Sequence, residues 1–206
     1  MIGLIGINHQ IADIEKRSAF ALTSGEASLI VEDWIACHFV KGAVILSTCN
    51  RVEIYYDVET TCPAAVEQKL IHSLLSNLEL SVRYGEYLMK LRDADAYEHL
   101  FRLASGLESM VIGETQILGQ LKEAYRMASL SGHCSGVLSR LFHRAFEVAK
   151  RVRSEYILSS TPISAGSAAV DKLFSLPSKP NRVLIVGAGL MADTIYDHLL
   201  HHNAEH

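Results

Sequence analysis

Two apolar runs separated by one short polar stretch constrain this chain most. Ala43-Val44-Ile45-Leu46 and the alternating Val52-Glu53-Ile54-Tyr55-Tyr56 both read as strands, joined by Ser47-Thr48-Cys49-Asn50-Arg51. A strand at 2–7 precedes them, followed by a helix over 24–39 with Ser24 as N-cap and Ala27, Ile30, Val31, Trp34 and Ile35 on one face. After them, Pro63 opens a second helix with Val66, Leu70, Leu74 and Leu75 inward, and 87–91 reads as a closing strand. The order β-α-β-β-α-β is the split-βαβ, ferredoxin-like arrangement.

Helical periodicity then takes over. Asp93 is the expected cap of a helix to Ala104, which Ser105-Gly106 breaks. A helix from Thr115 to Leu130 ends at Gly132, a suitable C′ residue. Another over 137–155 gathers Leu138, Leu141, Phe142, Ala145, Val148, Ala149 and Val152 on one side, with Arg140, Arg144 and Arg151 opposite. Pro162 and Pro177-Ser178-Lys179-Pro180 mark boundaries, and Arg182-Val183-Leu184-Ile185-Val186 reads as a buried-type strand. The expected class is therefore α+β: a ferredoxin-like part at 1–92, a helical part at 93–155, a linker with a connecting helix at 156–180, and the first βα unit of a Rossmann-type domain at 181–206.

The chain has 206 residues, 49% of them apolar and 20% charged, with a formal net charge of −4, so overall charge gives no hint of nucleic acid. The four cysteines at 37, 49, 62 and 134 form no Cys-x-x-Cys pair, which leaves zinc and thioredoxin-type readings unsupported. A strand beginning at Ile2 leaves no room for a leader, and no apolar run approaches the ~18 residues of a membrane span. A reducing cytoplasm with free thiols is the expected setting.

Cys49 stands out among the cysteines. Its neighbours are a hydroxyl, an amide and a guanidinium, and a nearby cation favours the reactive thiolate. An arginine can also take a carboxylate in a bidentate pair. The plainer alternative is a cysteine that merely packs, and Cys37, Cys62 and Cys134 look like that case or like inert surface thiols.

Gly113-Glu114-Thr115-Gln116-Ile117-Leu118-Gly119-Gln120 offers a carboxylate and two amides at a helix start. Gln116 and Gln120 lie one turn apart and could read an amino acid's polar groups. The plainer reading, which the residues alone favour, is a helix N-terminus capped by Thr115 with polar residues in water. His99 sits at the edge of an apolar face, where histidines are more often structural. The Arg140, Arg144 and Arg151 stripe suits phosphate contact or is simply a solvated face. The tail histidines at 198, 201, 202 and 206 are poor grounds for a metal site.

Gly187-Ala188-Gly189-Leu190-Met191-Ala192, between a strand and a helix, fits the dinucleotide fingerprint: one glycine turns the chain, one lets a pyrophosphate approach, and Ala192 is small enough for helix packing. The acidic residue expected ~20 positions on falls where the chain ends. One strand and one helix cannot bury their own apolar faces, so this chain is not expected to use a nucleotide by itself.

Together these segments closely resemble the glutamyl-tRNA reductase family. The resemblance is carried by Gly6-Ile7-Asn8-His9, Ser47-Thr48-Cys49-Asn50-Arg51-Val52-Glu53-Ile54-Tyr55, His99-Leu100-Phe101-Arg102, the run Ala104 to Glu114, Gln116-Ile117-Leu118-Gly119-Gln120, Arg140-Leu141-Phe142, Arg144 to Arg153, and Gly187-Ala188-Gly189. It implies that Cys49 attacks the ester joining glutamate to tRNA, and that NADPH then reduces the thioester to glutamate-1-semialdehyde, an early step of tetrapyrrole synthesis. It further implies a glutamate pocket of Thr48, Asn50, Arg51, Ser109, Glu114, Thr115, Gln116 and Gln120. Arg51 would hold the substrate carboxylate and His99 would assist proton handling. Gly187 to Ala192 would meet the NADPH pyrophosphate, Arg140, Arg144 and Arg151 would contact tRNA, and no metal would take part.

In the intact family enzyme the implied partners are glutamyl-tRNA, a second subunit joined through a C-terminal region, and the downstream semialdehyde aminotransferase. Three departures stand out: Thr115 where the family commonly has proline, a loose match at Asp13-Ile14-Glu15-Lys16-Arg17, and Leu190 where it often has glutamate. Most of the NADPH domain is absent from this sequence, so it reads as an N-terminal portion expected not to bind NADPH or to complete hydride transfer. Two other classes stay in play. A non-catalytic tRNA- or regulator-binding module would bind in a salt-sensitive way indifferent to Cys49→Ser. Some other cysteine-dependent aldehyde dehydrogenase would ignore the tRNA part of its substrate.

Overall fold

Strands β1 (Ile2–Asn8), β2 (Gly42–Ser47) and β3 (Arg51–Asp57) are buried almost throughout, because helices cover both faces of their sheet. The structure, a computed structural model, describes residues 1–111, 114, 116–156, 165–178 and 182–204. With β4 (Met89–Arg92) the strands form an antiparallel sheet in the order β2-β3-β1-β4. Successive side chains on a strand point to opposite faces. Ile5 and Ile7 of β1, with Val52, Ile54 and Tyr56 of β3, therefore pack against Trp34, Ile30, Leu70 and Leu74 of α2 (Ser24–Ala36) and α3 (Pro63–Asn77). Ile2, Leu4, Val44, Leu46 and Tyr55 face the other way, onto α4 (Ala94–Ala104), α5 (Gln116–Leu130) and α6 (Gly136–Glu155). The result is three layers with two cores.

Local chemistry sets the boundaries. The cap of α2 is Thr23, not Ser24: its hydroxyl accepts from Glu26 N–H at 3.3 Å while Glu26 accepts from Thr23 N–H at 2.8 Å, a reciprocal capping box. The helix stops at Ala36, short of the expected 39, and His38 takes a φ of +56°. A short α1 (Ile14–Ala19), capped by Asp13, buries no residue and so carries no periodic signal in the sequence. The expected strand at 87–91 divides into a 3-10 turn (Val82–Tyr87) and β4.

Asp93 does not cap α4 through its side chain. Its φ is +43°; its carboxylate accepts from Ile2 N–H at 3.0 Å and its own N–H donates to the Ile2 carbonyl at 2.8 Å. It straps the end of β4 to the start of β1. The C-terminus of α5 follows expectation: Gly132 has φ +71°, its N–H donates to the Ser129 carbonyl, and His133 N–H donates to Ala128 at 2.8 Å. That places the His133 carbonyl for Ala43 N–H at 2.9 Å, and a Cβ on Gly42 would stand 2.5 Å from it. Ser135 then caps α6 and donates to Asp57 of β3 at 2.7 Å.

In the C-terminal part, α7 (Ala165–Phe174) packs against α8 (Leu190–Ala204). Residues 182–186, expected as a buried strand, are neither strand nor buried: Leu184 is 86% and Val186 89% exposed. A strand is defined by ladder partners, and among the described residues none lies beside this segment. The start of α5 at Thr115 lies outside the described residues. No helix among the described residues is long and apolar enough to cross a membrane.

Candidate active site

Cys49 is exposed at the tip of the β2–β3 hairpin. The turn that presents it is closed by Thr48 N–H to the Arg51 carbonyl at 2.8 Å. The Thr48 hydroxyl accepts from Asn50 and Arg51 N–H at 3.3 and 3.2 Å. Outside the turn, His9 N–H donates to the Asn50 carbonyl at 3.0 Å, and Leu22 N–H to the Ser47 hydroxyl at 3.0 Å. The thiol is thus free while its backbone is fixed from β1 and from the entry to α2.

Beneath the hairpin lies a buried polar network. Arg51 is 2% exposed; its Nη1 meets Glu53 Oε1 at 2.7 Å and its Nη2 donates to the Glu108 carbonyl. Glu53 is fully buried and also accepts from the Tyr55 hydroxyl at 2.7 Å and meets His99 Nε2 at 3.0 Å. Burial alone would raise the Glu53 carboxyl, but His99, Arg51 and Tyr55 outweigh it and hold the carboxyl below its ordinary value. Burial first, then the Glu53 charge, pushes the Tyr55 hydroxyl well above its usual range.

The expected site residues are only partly gathered. Thr48, Cys49, Asn50 and Arg51 share the hairpin, and His99 is tied to it through Glu53. Half-buried Ser109 follows Glu108, whose carbonyl Arg51 reaches. Arg153 turns inward: its Nη2 donates to the Glu114 carbonyl at 3.0 Å. Burial raises the Glu114 carboxyl. Among the described residues no hydrogen bond joins Glu114, Gln116 or Gln120 to the hairpin. Gln120 and Ser47 do line a common groove of about 380 Å³ between α2, β2 and α5; Cys49 and His99 do not line it. Thr115 lies outside the described residues.

Arg140, Arg144 and Arg151 are exposed along α6, with Arg144 paired to Glu147 at 2.7 Å and Arg151 to Glu155 at 3.4 Å. Cys37 and Cys62 are exposed, while half-buried Cys134 has its thiol pushed up by burial. At the glycine-rich turn Gly187 has φ +126°, Cβ atoms on Gly187 or Gly189 would meet nothing within 4 Å, and Ala188, Leu190, Met191 and Ala192 lead into α8. Among the described residues no group of three or more His, Cys, Asp or Glu could hold a metal ion.

Glu53 and Tyr55 are the residues that the sequence reading missed. Arg51, Glu53 and Tyr55 alternate on one face of β3, a pattern that reads as a solvent face until a second helical layer covers it.

A family model described as "Glutamyl-tRNAGlu reductase, N-terminal domain" matches residues 5–156. Glutamyl-tRNA reductase of Desulfatibacillum aliphaticivorans is 39% identical over 207 residues, covering 98% of this chain and 47% of the relative. That of Solibacter usitatus (strain Ellin6076) is 42% identical over 209 residues, covering 98% of this chain and 48% of the relative. Among solved structures, glutamyl-tRNA reductase from Methanopyrus kandleri superposes with a TM-score of 0.68 at 35% identity, over 97% of this chain and 46% of that one. The chain thus spans about half the length of the curated relatives it matches. With the hairpin, its buried network and these matches together, the chain belongs to the glutamyl-tRNA reductase N-terminal domain family.

Proposed function

We propose that this chain carries the acyl-accepting half of a glutamyl-tRNA reductase, with Cys49 as nucleophile. The carrying observation is an exposed thiol on a hairpin held by hydrogen bonds and underlain by the Arg51–Glu53–His99 network. The Cys49 thiolate attacks the carbonyl carbon of the aminoacyl ester, the C–O bond breaks, and the tRNA 3′ oxygen leaves and takes a proton. His99, hydrogen-bonded to Glu53, handles that proton or orients the acyl group. Thr48 and Asn50 shape the turn. Ser109, Glu114, Thr115, Gln116 and Gln120 supply polar groups for the amino acid.

The domain reading follows: a ferredoxin-like part at 1–92 and a helical part at 93–155 form the catalytic domain, 156–180 links, and 181–206 begins an NADPH-binding domain. The open turn at Gly187–Gly189 fits the pyrophosphate end of the dinucleotide, but among the described residues no sheet strand lies beside the exposed segment 182–186. NADPH, when bound by the whole enzyme, supplies the hydride that reduces the thioester. In this chain, water is the acceptor we expect, giving slow deacylation.

Mixing the folded chain with glutamyl-tRNA and weighing it tests the reading. A glutamyl adduct on Cys49, absent from Cys49→Ser, is expected. A folded sample with neither adduct nor Cys49-dependent deacylation would sink it. The basic face of α6 supports a second reading, binding of tRNA without turnover. It predicts salt-sensitive affinity unchanged by Cys49→Ser.

A further inference from the structure

β2 is an edge of the sheet: β3 lies on one side of it and, among the described residues, no strand lies on the other. The turn fixes which of its backbone groups face the open side. Thr48 N–H donates to the Arg51 carbonyl, so these two residues are a hydrogen-bonded pair. Bonded and non-bonded pairs alternate along an antiparallel ladder, so Leu46–Glu53 and Val44–Tyr55 are the next bonded pairs. The N–H and carbonyl groups of Ala43, Ile45 and Ser47 therefore point away from β3. Ala43 bears this parity out, since its N–H donates to the His133 carbonyl at 2.9 Å. Open strand edges invite further backbone pairing, and proteins cover them. Here α2 and α5 wall the edge on both sides, yet among the described residues no hydrogen bond reaches the outward N–H or carbonyl of half-buried Ile45.

The groove along this edge, about 380 Å³, has the size of a small-molecule site. Small residues make the room: Ser24, Ala27 and Ser28 on α2, and Gly119, Ala124 and Ala128 on α5. A Cβ on Gly119 would meet nothing within 4 Å, although glycine weakens a helix interior. Both ends of the edge are stopped. At one, the His133 carbonyl occupies Ala43 N–H and would stand 2.5 Å from a Cβ on Gly42. At the other, Leu22 lines the groove and its N–H donates to the Ser47 hydroxyl at 3.0 Å. An added peptide strand draws its affinity from a run of main-chain bonds. Between its stops this edge offers one residue, Ile45, with both groups free. That suits a compact molecule and not a strand.

We propose that the groove over Ile45 binds a small, flat, largely apolar molecule that carries an N–H and a carbonyl side by side, a cyclic amide. Its N–H donates to the Ile45 carbonyl, its carbonyl accepts from Ile45 N–H, and its ring lies between the small residues of α2 and α5. The N–H and carbonyl of one extended residue point the same way, which is the pairing that an opposed strand residue makes in a ladder. The site stands independently of the acyl-transfer reading, and Cys49 takes no part in it.

The probe is carbostyril, a bicyclic amide whose N–H and carbonyl share one edge, and its N-methyl derivative lacks only the donor. Each is titrated into the folded, isotope-labelled chain while the backbone amide signals are followed by NMR. With carbostyril the Ile45 signal should shift saturably and downfield as its N–H gains an acceptor, together with signals of α2 and α5 along the groove. The N-methyl derivative should bind on the order of 5-fold or more weakly. Gly119→Leu fills the groove from α5 and should abolish binding. If that variant does not fold, Ser28→Leu fills it from α2 and should do the same. No saturable shift at Ile45 overturns the site, as does binding retained in a folded variant with the groove filled. Equal affinity for the two compounds removes the amide pairing and the proposal with it. Tighter binding of a capped Val-Ala-Val peptide in the same groove assigns the edge to strand addition and overturns the proposal too.

Discussion

In β2, Ala43 and Val44 are fully buried and Leu46 nearly so; in the run 182–186, Leu184 and Val186 lie almost wholly exposed. Both runs are short, apolar and bounded by turn residues. The first has β3 beside it and helices above and below. Among the described residues the second has no strand beside it, and within it only Ile185 is half-buried. A strand-type sequence is a potential that neighbouring backbone and a covering layer must complete. The contrast also fits a chain that spans about half the length of its relatives.

The contrast can be broken or sharpened by substitution. The largest loss is expected for Glu53→Gln, which leaves the buried Arg51 guanidinium without its counter-charge; urea denaturation should show about 3–5 kcal/mol lost at neutral pH. The same residue gives a pH signature. Its folded carboxyl lies below its unfolded value, so folding releases protons and stability rises with pH. The contribution is present above the ordinary carboxylate value of about 4.3 and fades as pH falls through the folded value. Urea midpoints measured down an acid series should therefore decline less steeply in Glu53→Gln; an identical decline would mean that Glu53 is not held charged.

Next in size, Leu100→Ala removes a fully buried side chain over the sheet and should cost roughly 3 kcal/mol. Ser135→Ala removes the α6 cap and the bond to Asp57, for about 1–2 kcal/mol by the same assay. Smallest of all, Leu184→Ala should change stability by less than about 0.5 kcal/mol. If Leu184→Ala proved as damaging as Leu100→Ala, the difference drawn between the two regions would be wrong.

Much of the sheet was legible because hydrophobic period is local: the strand runs, the Pro63 helix and the Gly132 ending can each be read within one window. Asp93 was not, because its left-handed backbone is held by Ile2, distant in sequence. Thr23 displaced Ser24 because only one of the two hydroxyls can face Glu26. The cysteine hairpin was legible from its residue types. Glu53 was not, because alternation cannot say whether a polar face meets water or a second layer of helices. Arg51 was recognised as important, but its commitment to Glu53 and Glu108 exists only after folding. The segment 182–186 reads as a strand in any window, and no window shows whether another strand lies beside it.

The reach of Arg51 from β3 to the Glu108 carbonyl has a practical consequence. It works as a latch between two parts of the chain far apart in sequence. A peptide copied from residues 43–56 would keep the thiol, the turn and the arginine, yet lose the catch that the latch engages. Such a peptide would carry its sulfur on a turn without an address.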